Sequence, residues 1–226
     1  MSKNLVIAID GPAGSGKSTA AKNLAEKLGY VYMDTGAMYR AITYIALRKN
    51  IADDKDAVIE MVKVLDIRLD FINGITRVYV NDEEVTDVIR TAEVNAKVSD
   101  ISRISEVREQ LVKIQRRMGE NGGLVAEGRD ISTVVFPRAD IKIFLTASLE
   151  ERARRRHKEY LEKNIEITYE EVKKNIARRD EIDSGREISP LKKADDAIEI
   201  DNTTTSIEDE IKYMLNKVIN IDEREI

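Results

Sequence analysis

Leu5-Val6-Ile7-Ala8-Ile9-Asp10-Gly11-Pro12-Ala13-Gly14-Ser15-Gly16-Lys17-Ser18 is the stretch that decides the fold. Leu5 to Ile9 is a continuous apolar run, the pattern of a strand buried on both faces, as in a parallel sheet. The run stops at Asp10-Gly11-Pro12. From Ser18, small and apolar residues recur at Ala21, Leu24, Ala25 and Leu28, and Gly29 supplies a stop signal, which together predict a helix. Between them, Gly11 to Ser18 fits the phosphate-binding loop pattern of Gly, any four residues, Gly, Lys and Ser or Thr. Glycines let successive backbone N–H groups curl around phosphates, and the new helix points its positive end at them. Lys17 then reaches the β and γ oxygens, and the Ser18 hydroxyl is placed to ligate magnesium. Gly11, Pro12, Ala13, Gly14, Ser15, Gly16, Lys17, Ser18 and Thr19 are thus the candidate residues for ATP, with Ser18 the candidate Mg2+ ligand.

Outward from the loop, the rhythm of strand and helix repeats. Tyr30 to Met33 is a second short strand, and Leu124 to Ala126, Ile141 to Leu145 and Ala197 to Ile200 are three more, with helical stretches between them. The expected fold is α/β, a doubly wound five-stranded parallel sheet with helices on both faces, as in P-loop NTPases. Residues 63 to 90 break the rhythm: Ile67, Leu69 and Phe71 alternate, Asn73-Gly74 is a tight-turn pair, and Val78 and Val80 alternate again. This predicts a small antiparallel β insert. Helical spacing returns at Val94, Val98 and Ile101, then at Val107, Leu111, Ile114 and Met118, with a break near Arg103 and Ile104. Glu150 to Arg186 is highly charged, with arginines at 152, 154, 155, 156, 178, 179 and 186, and suits a helical lid over phosphates. Ile207 to Ile219 reads as a closing amphipathic helix. The expected layout is one domain: a core of 1–62, 91–149 and 190–226, an insert of about 63–90 and a lid of about 150–189.

Composition narrows the chemistry. The 226 residues are 42% hydrophobic, enough for one sizeable core. Lys plus Arg number 37 and Asp plus Glu 42, a net charge of −5 that offers no global attraction to nucleic acid or an anionic membrane. There is no cysteine, and His157 is the one histidine, so disulfides, thiolate metal sites and histidine clusters are excluded. No apolar run approaches the roughly 20 residues a membrane helix needs, and Leu5 to Ile9 is too short for a signal segment. A cytoplasmic protein working as a monomer, without nucleic acid or membrane partners, is the expectation.

The loop announces a nucleoside triphosphate site without naming an acceptor. An Asn-Lys-x-Asp guanine reader and a Leu-Ser-Gly-Gly-Gln signature are both absent from the sequence, and no strand ends in an obvious hydrolase aspartate. Arginines stand at the strand ends instead. Asp34-Thr35-Gly36-Ala37-Met38-Tyr39-Arg40 follows the second strand, and Glu127-Gly128-Arg129-Asp130 follows the third, at the carboxyl edge where ligands of open α/β sheets bind. Arginine suits bidentate phosphate contacts, so these segments fit a second phosphate. A kinase for UMP, AMP or shikimate, a nucleotide-binding regulator without turnover, and a nucleic-acid-dependent ATPase stay open on the residues alone.

The sequence resembles the bacterial cytidylate kinases, nearly end to end. The resemblance is carried by Ile-Asp-Gly-Pro-Ala-Gly-Ser-Gly-Lys-Ser at 9–18, Asp-Thr-Gly-Ala-Met-Tyr-Arg at 34–40, Gly-Arg-Asp-Ile at 128–131 and Thr-Val-Val-Phe-Pro at 133–137. It implies transfer of the γ-phosphoryl of ATP to CMP or dCMP, an inserted CMP-binding unit and an arginine-bearing lid. By resemblance, Lys17, Arg129 and Arg186 are catalytic, and Thr35, Arg40, Arg129 and Arg186 contact the CMP phosphate. Ser99, Arg108 and Asp130 read cytosine, and Arg179 and Asp183 bind the sugar. The chain departs from the family's usual wording at Glu127, where Asp is common, and at Ser132, where Gly is common and whose freedom at positive φ the backbone there would lose. Arg152 to Arg156 are read as a solvated helix face as readily as a functional one and stay outside the site.

Overall fold

A computed structural model describes residues 4–72, 75–162 and 164–222. The apolar run after Asn4 forms β1 (Val6–Asp10), and the loop delivers the chain into α1 (Lys17–Leu28), which ends at Gly29 in the left-handed region, φ 68°. Then come β2 (Val31–Asp34), α2 (Thr35–Arg48) and α3 (Lys55–Val64), and the antiparallel strands β3 (Ile67–Ile72), β4 (Ile75–Val80) and β5 (Glu83–Glu84). A 3-10 turn (Val88–Arg90) leads to α4 (Ala92–Ile101) and α5 (Ser105–Met118). The chain returns through β6 (Leu124–Gly128), a π-helical turn (Ile131–Val135) and β7 (Ile141–Thr146). It closes with α6 (Leu149–Glu162), α7 (Tyr169–Ser184), β8 (Ile198–Asp201) and α8 (Ile207–Asp222).

Five strands make one parallel sheet in the order β2-β6-β1-β7-β8, and β3-β4-β5 make a separate antiparallel sheet. The expected doubly wound sheet and small antiparallel sheet are both present. The Asn73-Gly74 turn falls outside the described residues.

Alternation along the strands shows why both faces are apolar. Ala8, Met33, Leu124 and Ala126 face a core formed with α2, α3, α4 and α5. Ile7, Ile9, Tyr32, Val125, Ile143 and Leu145 face a second core closed by α1 and α8. Successive side chains of a strand point to opposite faces, so an unbroken apolar run is what a sheet covered on both sides requires. A third, small cluster joins Ala13 of the loop to Ala153, Val172 and Ile176 of α6 and α7. The carboxyl ends of β1, β2 and β6 therefore open between two sets of elements, α4–α5 on one side and α6–α7 on the other.

Candidate active site

A cleft of about 660 Å³ opens at that carboxyl edge. On one side lies the phosphate loop. Gly11 is needed for close approach, because a Cβ there would stand 2.0 Å from the Leu145 carbonyl oxygen, and Gly16 holds φ 91° at the entrance to α1. No side chain caps α1. Its first N–H groups are thus left for a ligand, the arrangement that makes a helix N-terminus an anion site. Ala13, Gly14, Gly16, Lys17, Ser18 and Thr19 line the cleft. Gly11, Pro12 and Ser15 lie behind the lining, where the Pro12 carbonyl accepts a 2.7 Å hydrogen bond from Lys17 Nζ and Ser15 Oγ a 3.4 Å one.

Burial lowers the Lys17 pKa to about 7, with the neighbouring Arg129 guanidinium acting in the same direction; Glu127, Asp10 and Asp183 act against it. Beside it the Ser18 hydroxyl donates to Glu127 Oε1 at 2.6 Å, and the Tyr32 hydroxyl donates to the same oxygen at 3.2 Å. Burial raises the Tyr32 pKa, and the Glu127 charge raises it further. The Ser18 hydroxyl in the first turn of α1 and the Glu127 carboxylate near the end of β6 are hard oxygen donors, and magnesium takes one or two such protein ligands together with phosphates. These residues fit that ion. Among the described residues, no group of three or more His, Cys, Asp or Glu side chains forms an all-protein metal cage.

On the other side the cleft is built from arginines and their carboxylates. Arg129, at the end of β6, donates to Asp183 of α7 at 2.8 Å. Arg108 of α5 donates to Asp130 at 2.5 Å and to the Ser102 carbonyl at 3.1 Å, and lies 5.2 Å from the Tyr39 ring centroid. Arg40 donates to Asp34, whose Oδ1 also accepts the Ala37 N–H and caps α2. Burial works against the Asp34 charge, yet Arg40 and Arg90 hold its pKa below the usual carboxylate range. The same competition, won by Arg129 and Arg186, lowers Asp183. Thr35 Oγ1 donates to the Glu127 carbonyl at 2.7 Å, and Ser99 is buried on α4 near Ser102.

Thr35, Arg40, Ser99, Arg108, Arg129, Asp130, Arg179, Asp183 and Arg186, drawn from α2, α4, α5, α7 and the segments after β6 and α7, all line this one cleft. Positive charge remains in surplus. Burial lowers Arg179 to about 10, and Arg129 beside it adds to the effect; burial followed by Arg108 lowers Arg186. Arg40 Nε, Arg108 Nε, Arg179 Nε and both Nε and Nη2 of Arg186 are buried without a hydrogen-bond partner. A buried N–H left unmatched is costly, and a guanidinium more so. An anion supplies what these atoms lack.

Several residues of the site were not read from the sequence. Glu127 stands where a strand-end carboxylate meets the loop serine, and Arg90 reaches the cleft from the 3-10 turn, 3.2 Å from Asp34. Arg152 and Arg155 are not a solvated face. Arg152 is buried, and Arg155 donates to both the side chain and the carbonyl of Asn202. Arg154 does lie exposed, paired with Glu151. Ser132, standing where glycine is common, has no positive φ and bonds the Asp10 carboxylate through its N–H and its hydroxyl.

A phosphate loop at the carboxyl edge of a parallel sheet, facing a second cluster of cations, defines a P-loop kinase. The cytidylate kinase family model matches residues 7–220, and the chain belongs to that family. It is 51% identical over 219 residues to the cytidylate kinase of Bacillus subtilis (strain 168), covering 96% of this chain and 98% of the relative. It is 52% identical over 209 residues to that of Exiguobacterium sp. (strain ATCC BAA-1283 / AT1b), covering 92% and 93%. Among solved structures, shikimate kinase from Acinetobacter baumannii in complex with shikimate superposes with a TM-score of 0.51 at 13% identity, over 97% of this chain and 95% of that one. That likeness shows the fold. Family membership makes the chain a nucleoside monophosphate kinase.

Proposed function

We propose that the cleft transfers the γ-phosphoryl group of ATP to the phosphate of CMP or dCMP, forming CDP or dCDP and ADP. The carrying observation is the row of buried guanidinium N–H groups with no partner, on Arg40, Arg108, Arg179 and Arg186, opposite the phosphate loop. ATP lies with its phosphates on Gly11 to Thr19 and Lys17 against the γ oxygens. Mg2+, held by Ser18 with Glu127 beside it, would neutralise charge on the β- and γ-phosphates.

Thr35, Arg40, Arg129 and Arg186 hold the acceptor phosphate. Its oxygen is ionised near neutral pH, so no dedicated base is required, and catalysis rests on alignment and charge stabilisation. Lys17, Arg129 and Arg186 serve as the catalytic cations, on the transferring group. Asp130 accepts from the cytosine amino group, while Arg108 and Ser99 donate to the ring acceptors. Uracil would set an oxygen against that carboxylate, the unpaired arrangement from which hydrogen-bonding sites draw discrimination. Arg179 and Asp183 take the sugar.

In this reading the insert expected to bind CMP is about 63–90 and α6–α7 the lid, about 150–189, over a core of 1–62, 91–149 and 190–226; of the described residues of the insert only Arg90 lines the cleft, and the base-reading residues come from α4, α5 and the segment after β6. A monomeric working unit belongs to the same proposal. Chromatographic identification of the products formed from ATP, magnesium and CMP tests the proposal. CDP and ADP in equal amounts support it; ADP and inorganic phosphate without CDP would refute it.

A further inference from the structure

Ala13, in the middle of the phosphate loop, is held at both its backbone N–H and its carbonyl from outside the cleft. Its N–H donates to Oδ1 of Asp180 on α7 at 3.1 Å, and its carbonyl accepts from Nη1 of Arg152 on α6 at 2.9 Å. The two side chains also bond each other, Arg152 Nη1 to Asp180 Oδ2 at 2.5 Å, and Arg152 Nε donates to the Ala147 carbonyl at 2.9 Å. Arg152 is buried, and neither it nor Asp180 lines the cleft. Gly14 packs beneath them, since a Cβ there would stand 3.3 Å from both Cβ and O of Arg152.

A glycine-rich loop samples many conformations when unrestrained, whereas charge-assisted hydrogen bonds to the N–H and the carbonyl of one residue, on the two peptides that flank it, leave few. α7 carries Asp180 between Arg179 and Asp183, which face the cleft. One rigid helix therefore touches the loop with one residue and the opposite wall with its neighbours.

We propose that Arg152 and Asp180 are positioning residues that set the conformation of the phosphate loop and tie it to α7. The role rests on the proposed function only in taking Gly11 to Thr19 as the nucleotide site. Neither residue touches a reacting atom; both act through the Ala13 backbone.

The test measures, on the full chain with magnesium, the Kd of an imido-bridged, non-hydrolysable ATP analogue by calorimetry, together with kcat and Tm. Asp180→Ala is expected to weaken the analogue about tenfold, the scale of one charge-assisted hydrogen bond, and to lower kcat. Asp180→Asn, which keeps an acceptor for the Ala13 N–H, is expected to recover most of the affinity. A lowered Tm with Kd and kcat within about twofold of the parent would show a merely structural pair and overturn the proposal. Should Asp180→Ala fail to fold, Arg152→Lys decides, by the same criteria. A parent chain that binds the analogue but does not phosphorylate CMP counts against the proposed acceptor alone, and one that does not bind the analogue overturns the positioning role.

Discussion

Arg129 Nε donates to Asp183 Oδ2 at 2.8 Å, joining the carboxyl end of β6 to the last turn of α7. The Asp183 carboxylate also lies 3.8 Å from Arg186, and it is the counter-charge shared by Arg129 and Arg186. Replacing it by Ala leaves buried cations uncompensated, a change that typically costs about 3–5 kcal/mol. Asp183→Ala should therefore melt at lower temperature in the free form and regain much of that loss in the presence of CMP. Differential scanning fluorimetry with and without nucleotide checks both parts.

Lys17 titrates near 10.5 when unfolded and about 7 when folded. Between these values the unfolded chain holds the extra proton, so stability rises with pH across the window, and the burial cost is complete below about 7. Lys17→Met should then be more stable than the parent at pH 7, on the order of 2 kcal/mol, with the gap closing toward pH 10. Denaturant titrations at several pH values follow it. Turnover should fall by about 10²–10³, the scale of a lost electrostatic stabiliser.

Polyphosphate beside Lys17 favours its charged form. Above pH 7 the free protein has lost that proton, so ATP binding is expected to take up close to one proton near pH 8. Calorimetry in buffers of different ionisation enthalpy reads it directly, and binding without uptake would contradict a lowered Lys17 pKa in the free protein.

Asp130 and Arg108 form a buried pair in the proposed cytosine site. Asp130→Asn keeps the volume and an acceptor for Arg108, and should reduce the kcat/KM preference for CMP over UMP by about 10- to 100-fold. An unchanged ratio would remove Asp130 from base reading.

Ser132 Oγ donates to Asp10 Oδ2, and the Ser132 and Ile131 N–H groups donate to the same carboxylate. Ser132→Ala removes one of these bonds and should cost about 1–2 kcal/mol, measured by chemical denaturation.

The strands, the loop and α1 were legible because their signals are local: an apolar run, glycine spacing and a stop at Gly29. Arg40 and Arg129, in the segments that follow two strands the pattern marks, do line the cleft; their contact with the acceptor belongs to the proposal. What escaped is long-range. Asp180 meets Ala13 across 167 residues and Glu127 meets Ser18 across 109, and no periodicity encodes such pairs. Arg152 and Arg154 are two residues apart in one charged run, yet one is buried and one exposed, because α6 turns Arg152 toward the loop. Ser132 broke a family habit, and only its contact with Asp10 shows how a side chain is accommodated there.

The most direct measurement of the central claim is ADP release by the full chain with ATP and magnesium against CMP, dCMP, UMP and AMP at matched concentrations in one coupled assay. A kcat/KM for CMP or dCMP far above the others is the predicted result. Preference for UMP or AMP would contradict the cytosine-reading roles of Ser99, Arg108 and Asp130.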